Sequence, residues 1–391
     1  MLQTIFYLAI ALVPIIQFSI AGTFGIADIL FIFIAFTLFI SKVNSKQSLS
    51  VNSYYIFLII ILAASATLSL INASDIVDGV VKTAQLLFVF LIFIPVIVSM
   101  LNTSEKIKRT LDVLIVIGSL SVIYAVLPDY LNINIETKTI HGRYYSFFNN
   151  PWIFSLYLTI ILPYMVSFFL YEKNKVYYAI SILINVFGIL LSGGRTSFLC
   201  LLILLIIYIF VYIRKKIRSV KLLASLQVFI LLLAFIVIIS LNSILVFFVT
   251  LFQNSVPALS VKLSTLLEDE VDLARTHLYE VGLDYLQKSP IIGSGLGEFE
   301  NISGTVSMHS YFPSLWIETG LFGLLSILIL HAYCLYLSYK FKDRIQKSVW
   351  SAVVLSHVIL LIFMLVNPLL LYRLFWIPLA VNLAFVNFST K

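Results

Sequence analysis

The sequence predicts an all-α, polytopic integral membrane protein, and three observations carry that prediction. Hydrophobic residues make up 61% of the 391, charged residues only 11%, and the mean hydropathy is +1.07. A soluble globule carries about a quarter charged residues. Apolar runs long enough to cross a bilayer, at about 20 residues per span, recur along the chain. The basic residues also gather in alternate connecting segments, as short cytoplasmic loops require.

About twelve spans follow in order, near 2–20, 24–40, 54–71, 83–100, 111–127, 151–171, 177–192, 196–213, 222–250, 313–338, 349–366 and 374–388. The first lacks a basic leading region and a small-residue cleavage site, so it reads as a retained span and not as a signal peptide. The second and twelfth are short. The sixth opens on Asn149-Asn150-Pro151, which resembles an Asn cap followed by Pro at the first helical position. The eighth opens on Ser192-Gly193-Gly194-Arg195-Thr196-Ser197; its glycines permit close backbone approach, and Ser192 or Thr196 could cap. Between the ninth and tenth spans lies one large polar segment, 251–312. Within it Val271, Ala274, Leu278, Val281 and Tyr285 recur at helical spacing, predicting an amphipathic helix that lies on or dips towards the membrane. The glycine-rich stretch Ser289–Gly297 is not a GxGxxG after a strand. It reads as a tight turn, with an anion-cradling nest as the alternative.

With both termini inside, 17 of the 25 basic residues fall on the cytoplasmic side and about 14 of the 18 acids outside. The large segment is then extracytoplasmic. The net charge of +7 reflects topology and contact with anionic membrane lipids, and gives no reason to invoke nucleic acid. Residues 1–391 read as a single polytopic domain without repeats or a soluble module. Cys200 and Cys334 fall inside spans and suggest neither a disulfide framework nor a metal site. No Gly-Lys-Ser or Gly-Lys-Thr triplet occurs, which argues against an ATP-driven pump or a cytosolic nucleotide-sugar enzyme.

Four of the eight arginines, Arg143, Arg195, Arg275 and Arg373, fall outside against the charge rule. A guanidinium stays charged and binds phosphate oxygens in bidentate fashion; the alternatives are snorkelling to headgroups or pairing with outer acids such as Glu298 and Glu318. Helices that run inwards point their positive N-terminal ends at the same surface. Of the five histidines, His331 and His357 lie within spans, where packing or interhelical hydrogen bonding is expected, while His141, His277 and His309 face outside. His309 starts the tenth span with Glu318 nearby, and is the candidate general base. Asp75 with Asp78, and the cluster at Glu268, Asp269, Glu270 and Asp272, could ligate a divalent cation. The simpler reading is a solvated acidic face and an acidic helix start, so no metal and no cofactor is expected.

Taken in order, Ser192-Gly193-Gly194-Arg195-Thr196, Arg275, Pro290 with Gly293–Phe299, His309-Ser310-Tyr311 and Glu318–Gly323 resemble the O-antigen ligase and Wzy-type polysaccharide polymerase superfamily of bacterial envelopes. The motifs span residues 192–323, and the topology is similar along most of the chain. The resemblance implies metal-independent glycosyl transfer at the outer face of the bacterial inner membrane, from an undecaprenyl-diphosphate-linked oligosaccharide to an acceptor hydroxyl. Arg195 and Arg275 would hold the donor diphosphate, and His309 would orient or deprotonate the acceptor. Gly193, Gly194 and Glu318 would complete the donor site, with Arg143 and Arg373 added from the orientation of the chain. This chain has Ser310 where members often carry Asn. A flippase and a chain-length regulator of the same pathway are the implied protein partners. Short outer loops and an Ile- and Phe-rich composition favour a polymerase; a ligase acting on lipid A core is the alternative. A non-enzymatic flippase is the rival from another class, but it should place charges deep in the bundle, whereas these arginines sit at helix ends.

Overall fold

The computed structural model describes residues 1–15, 19–21, 24–45, 52–130, 139–140, 143–148, 150–216, 271–299, 310–365, 367 and 371–388. Eight helices among them are long and apolar enough to cross a membrane. They are α2 (Ile26–Asn44), α3 (Ser53–Ser69), α4 (Ile76–Phe88) continued through a π turn into α5 (Ile94–Met100), α6 (Ser104–Tyr130), α7 (Pro151–Tyr171), α8 (Lys175–Ser192), α11 (Tyr311–Lys340) and α12 (Lys347–Met364). The other helices are α1 (Leu2–Leu12), α9 (Arg195–Lys216), α10 (Val271–Lys288) and α13 (Ile377–Leu383), the last flanked by 3-10 turns. The expected ninth span, 222–250, lies outside the described residues, so the count of twelve rests on sequence alone.

Two expected spans depart from a single full-length helix, each for a local reason. α1 stops at Leu12 because Pro14 has no N–H to continue the helical ladder. The chain then forms a two-stranded ladder between Ser19–Ala21 and Phe24–Gly25. At the other end, the twelfth span divides into a 3-10 turn at Arg373–Trp376, α13 and a second 3-10 turn, with Pro378 at the start of α13 where its fixed φ is tolerated.

The chain divides into two compact units. Unit 1 comprises Met1–Ile117, Tyr164–Ala179 and Glu270–Lys391; unit 2 comprises Gly118–Pro163 and Ile180–Asp269. Unit 1 has an aromatic core in which Phe31 lies 4.6 Å from Phe93, and Phe90 lies 4.8 Å from Trp376, between ring centroids. In unit 2 glycines bring the helices close together. A Cβ at Gly118 of α6 would meet Ile161 at 2.2 Å, and one at Gly188 of α8 would meet Val122 at 2.4 Å.

Within unit 1 a buried polar chain ties three helices together. His331 Nδ1 of α11 lies 2.9 Å from His357 Nε2 of α12, and His357 Nδ1 lies 2.7 Å from Asn382 Nδ2 of α13. Ser338 Oγ donates to Asn382 Oδ1. With the Asn382 amide nitrogen turned to His357, neutral His357 accepts at Nδ1 and donates from Nε2 to His331. This is the interhelical hydrogen bonding expected of the two intramembrane histidines.

Candidate functional site

In unit 2 the structure joins three of the predicted residues. Arg143 lies in a two-residue ladder, Thr139–Ile140 against Arg143–Tyr144, and its Nε donates to the carbonyl of Ser192, the last residue of α8, at 2.9 Å. A cation at a helix C-terminus also meets the negative end of the helix dipole. Gly193 turns the chain with φ +62°, and a Cβ there would stand 3.1 Å from Arg143 Nε. Gly194 is equally crowded, since a Cβ would meet Ser155 Oγ at 2.4 Å. α9 then opens at Arg195, with the Phe198 amide donating to the Gly194 carbonyl at 3.0 Å. Gly193 therefore makes room for Arg143 and Gly194 for Ser155 of α7, and Arg195 occupies the first position of a new helix.

In unit 1 the corresponding feature is a broken helix. α11 contains non-helical backbone at Gly320, φ 74° and ψ −177°, so the expected tenth span is two helical pieces. The break leaves carbonyls at the end of the first piece without intrahelical donors, and the glycine loop supplies them. Ser294 N donates to the Ile317 carbonyl at 2.8 Å and Gly295 N to the Glu318 carbonyl at 3.0 Å. Ser65 Oγ of α3 donates to the Thr319 carbonyl at 2.5 Å. Leu321 N, beginning the second piece, donates to the Pro290 carbonyl at 3.1 Å. Gly293, Gly295 and Gly297 all have positive φ, and added Cβ atoms would collide with Glu318, Ala73 and Lys82 respectively. The anion-nest alternative gives way to the turn, because the amides of Ser294 and Gly295 are spent on the helix end.

Acidic residues at this end are also committed to structure. Glu298 is buried, and its Oε2 accepts from Ser74 N at 2.9 Å. Asp75 caps α4 through the Asp78 amide, and Asp78 pairs with Lys82 at 3.0 Å. Glu318 is buried. Beneath the loop, Leu278 of α10 packs on Phe299 and Ile317, with Val281, Tyr285 and Leu286 at the margin. The predicted apolar stripe of α10 is thus filled by protein contacts over this stretch.

The two pieces of α11 do not lie in line. Tyr311 and His331 lie 6.2 and 5.9 Å from the same Trp376 indole, whereas in a straight helix 20 residues would separate them by about 30 Å. The N-terminal end of α11, which His309 leads into, therefore points towards the Trp376 region of unit 1. Arg373, on the same 3-10 turn as Trp376, pairs with Asp28 of α2 at 2.8 Å.

Arg275 lies in the first half of α10, while His309 and His141 fall outside the described residues. Sequence reasoning missed the break at Gly320 and the acid that meets Arg373. A signal for each exists: a Gly after Glu318-Thr319 in mid-span, and a lone Asp three residues beyond Gly25 in an apolar run, the spacing of a capping box. Residues 180–328 match the O-antigen ligase family model. That stretch holds the Ser192–Arg195 turn, α10, the glycine loop and the broken helix, and supports a polysaccharide ligase- or polymerase-like function in a multi-pass membrane protein. No curated protein matches the chain.

Proposed function

We propose that the chain is a Wzy-type polysaccharide polymerase that transfers an undecaprenyl-diphosphate-linked glycan to a hydroxyl of another lipid-linked repeat, at the outer face of the bacterial inner membrane. The observation that carries this reading is the O-antigen ligase match over the stretch that holds Arg195, Arg275 and His309. In the reaction the bond from the anomeric carbon to the diphosphate oxygen breaks, its electron pair leaving with undecaprenyl diphosphate. The acceptor oxygen bonds to that carbon, and its proton passes to His309. Negative charge grows on the leaving diphosphate, where the guanidinium groups of Arg195 and Arg275 would stabilise it. A base that titrates near neutral pH suits the proton removal. The mechanism uses neither metal nor cofactor.

The description of the matching family favours a second reading, a ligase that moves the glycan to lipid A core. A gel of surface polysaccharide from a deletion strain, complemented with wild type, Arg275→Ala or His309→Ala, separates the two. For a polymerase, the strains lacking activity show core bearing one repeat in place of a ladder. For a ligase, core loses all glycan and lipid-linked polymer accumulates. Both variants should insert normally and accumulate to wild-type levels; a normal ladder from both would remove His309 and Arg275 from the site.

A further inference from the structure

The ion pair of Asp28 and Arg373 is unevenly buried, and the unevenness is informative. Asp28 has no exposed side-chain surface, whereas Arg373 keeps 17% of its own. Asp28 Oδ2 accepts from Gly25 N at 2.7 Å and from Arg373 Nη1 at 2.8 Å; its Oδ1 has no hydrogen-bond partner among the described residues. On another side the guanidinium lies 5.5 Å from the Phe88 ring. The carboxylate is thus fully enclosed, while part of the Arg373 side chain stays accessible.

Stability alone is a weak account of such a pair. Desolvating two charges offsets most of their attraction, and well-packed apolar residues of similar volume often serve a fold as well. What the arrangement supplies is a guanidinium held on two sides before any ligand arrives, at low entropic cost to binding. Its place in the fold matters equally. Three residues on, Trp376 packs against Tyr311, the first residue of α11, two residues after His309. Arg373 is thus carried by the turn that touches the start of the helix to which His309 leads.

We propose that Asp28 is a positioning residue that holds Arg373 as a binding group for the diphosphate of a prenyl-diphosphate donor. The identity of that ligand rests on the function proposed above. The accessible part of the Arg373 side chain would meet the phosphate oxygens while the buried carboxylate fixes the plane of the guanidinium.

Binding of farnesyl diphosphate to the purified full chain in lipid nanodiscs, with farnesol as the uncharged control, tests the proposal. Wild type should prefer the diphosphate. Asp28→Asn should weaken diphosphate binding about tenfold or more, the value of an oriented charge-assisted contact, and leave farnesol binding unchanged. Asp28→Glu should recover most of the loss. The double variant Asp28→Asn with Arg373→Gln exchanges the ion pair for a shorter, neutral pair able to hydrogen-bond; it should stay monodisperse with near wild-type thermal stability and still bind weakly. Wild-type affinity in the double variant overturns the proposal by making the pair structural only. Tighter binding by Asp28→Asn also overturns it, since the carboxylate would then compete with the ligand. A wild-type chain that does not distinguish farnesyl diphosphate from farnesol defeats the donor assignment itself, a failure separate from that of Asp28.

Discussion

Individual glycines show how local backbone geometry builds this site. A Cβ at Gly320 would stand 2.0 Å from the Ile291 carbonyl oxygen and 2.6 Å from Ile292 C, and the residue has φ +74°. Both penalties fall on backbone, which cannot rotate away. Gly320→Ala should therefore cost several kcal/mol, combining about 1–2 kcal/mol for a left-handed non-glycine residue with a displaced loop. Gly118→Ala is the contrast, because its nearest obstacle is Ile161 Cδ1 at 2.2 Å, the tip of a flexible side chain, and it should cost far less. Thermal unfolding of the two variants in the same detergent ranks them; equal losses would mean that the loop yields as easily as a methyl group. The glycine run was visible in sequence, but its partner was not. Nothing in Gly293–Gly297 names Glu318 and Gly320 as the backbone it covers, because that pairing is tertiary.

The elements were largely legible, because apolar length and period mark a membrane helix before any packing is known. α6, α7 and α8 fall within a few residues of the spans read at 111–127, 151–171 and 177–192, apart from an earlier start for α6. What sequence could not supply was discontinuity, since a broken helix keeps the same hydropathy as an intact one. Nor could spacing reveal which intramembrane polar groups meet. The chain from Ser338 through Asn382 and His357 to His331 joins α11, α12 and α13, and removing its middle member tests it. His357→Phe leaves a donor on Asn382 and an acceptor on His331 unpaired, at a cost of about 1–2 kcal/mol, within what hydrogen bonds between membrane helices contribute. Asn382→Leu together with His357→Phe should cost less per group removed, since it strands fewer buried polar atoms. Chemical unfolding in mixed micelles measures both. A double-variant loss equal to the sum of the losses from His357→Phe and Asn382→Leu alone would mean that the groups do not act as one network.

At the scale of the whole molecule the reaction depends on sidedness, which the charge distribution assigns and the packing of unit 1 makes testable. Three chain ends assigned to the cytoplasm meet at Glu172. Lys108 lies 3.9 Å from its carboxylate, while Gln346 and Ser348 donate to it at 2.7 and 2.8 Å. The starts of α6 and α12 and the end of α7 therefore share one side of unit 1, as the alternation of basic loops requires. The glycine loop gathers at other chain ends, touching Asn72 and Ser74 beyond α3. Transfer at the outer face demands that the Glu172 side face the cytoplasm. Cysteine labelling decides this in a background lacking the buried Cys200 and Cys334. In spheroplasts, a membrane-impermeant maleimide should modify Gln287→Cys of α10 and spare Asn174→Cys beside Glu172 until the membrane is permeabilised. Both positions are exposed, so accessibility reports the side of the membrane and not burial. The reverse pattern would put Arg275 on the cytoplasmic side, where no translocated lipid-linked repeat is available, and the polymerase reading would fall with it.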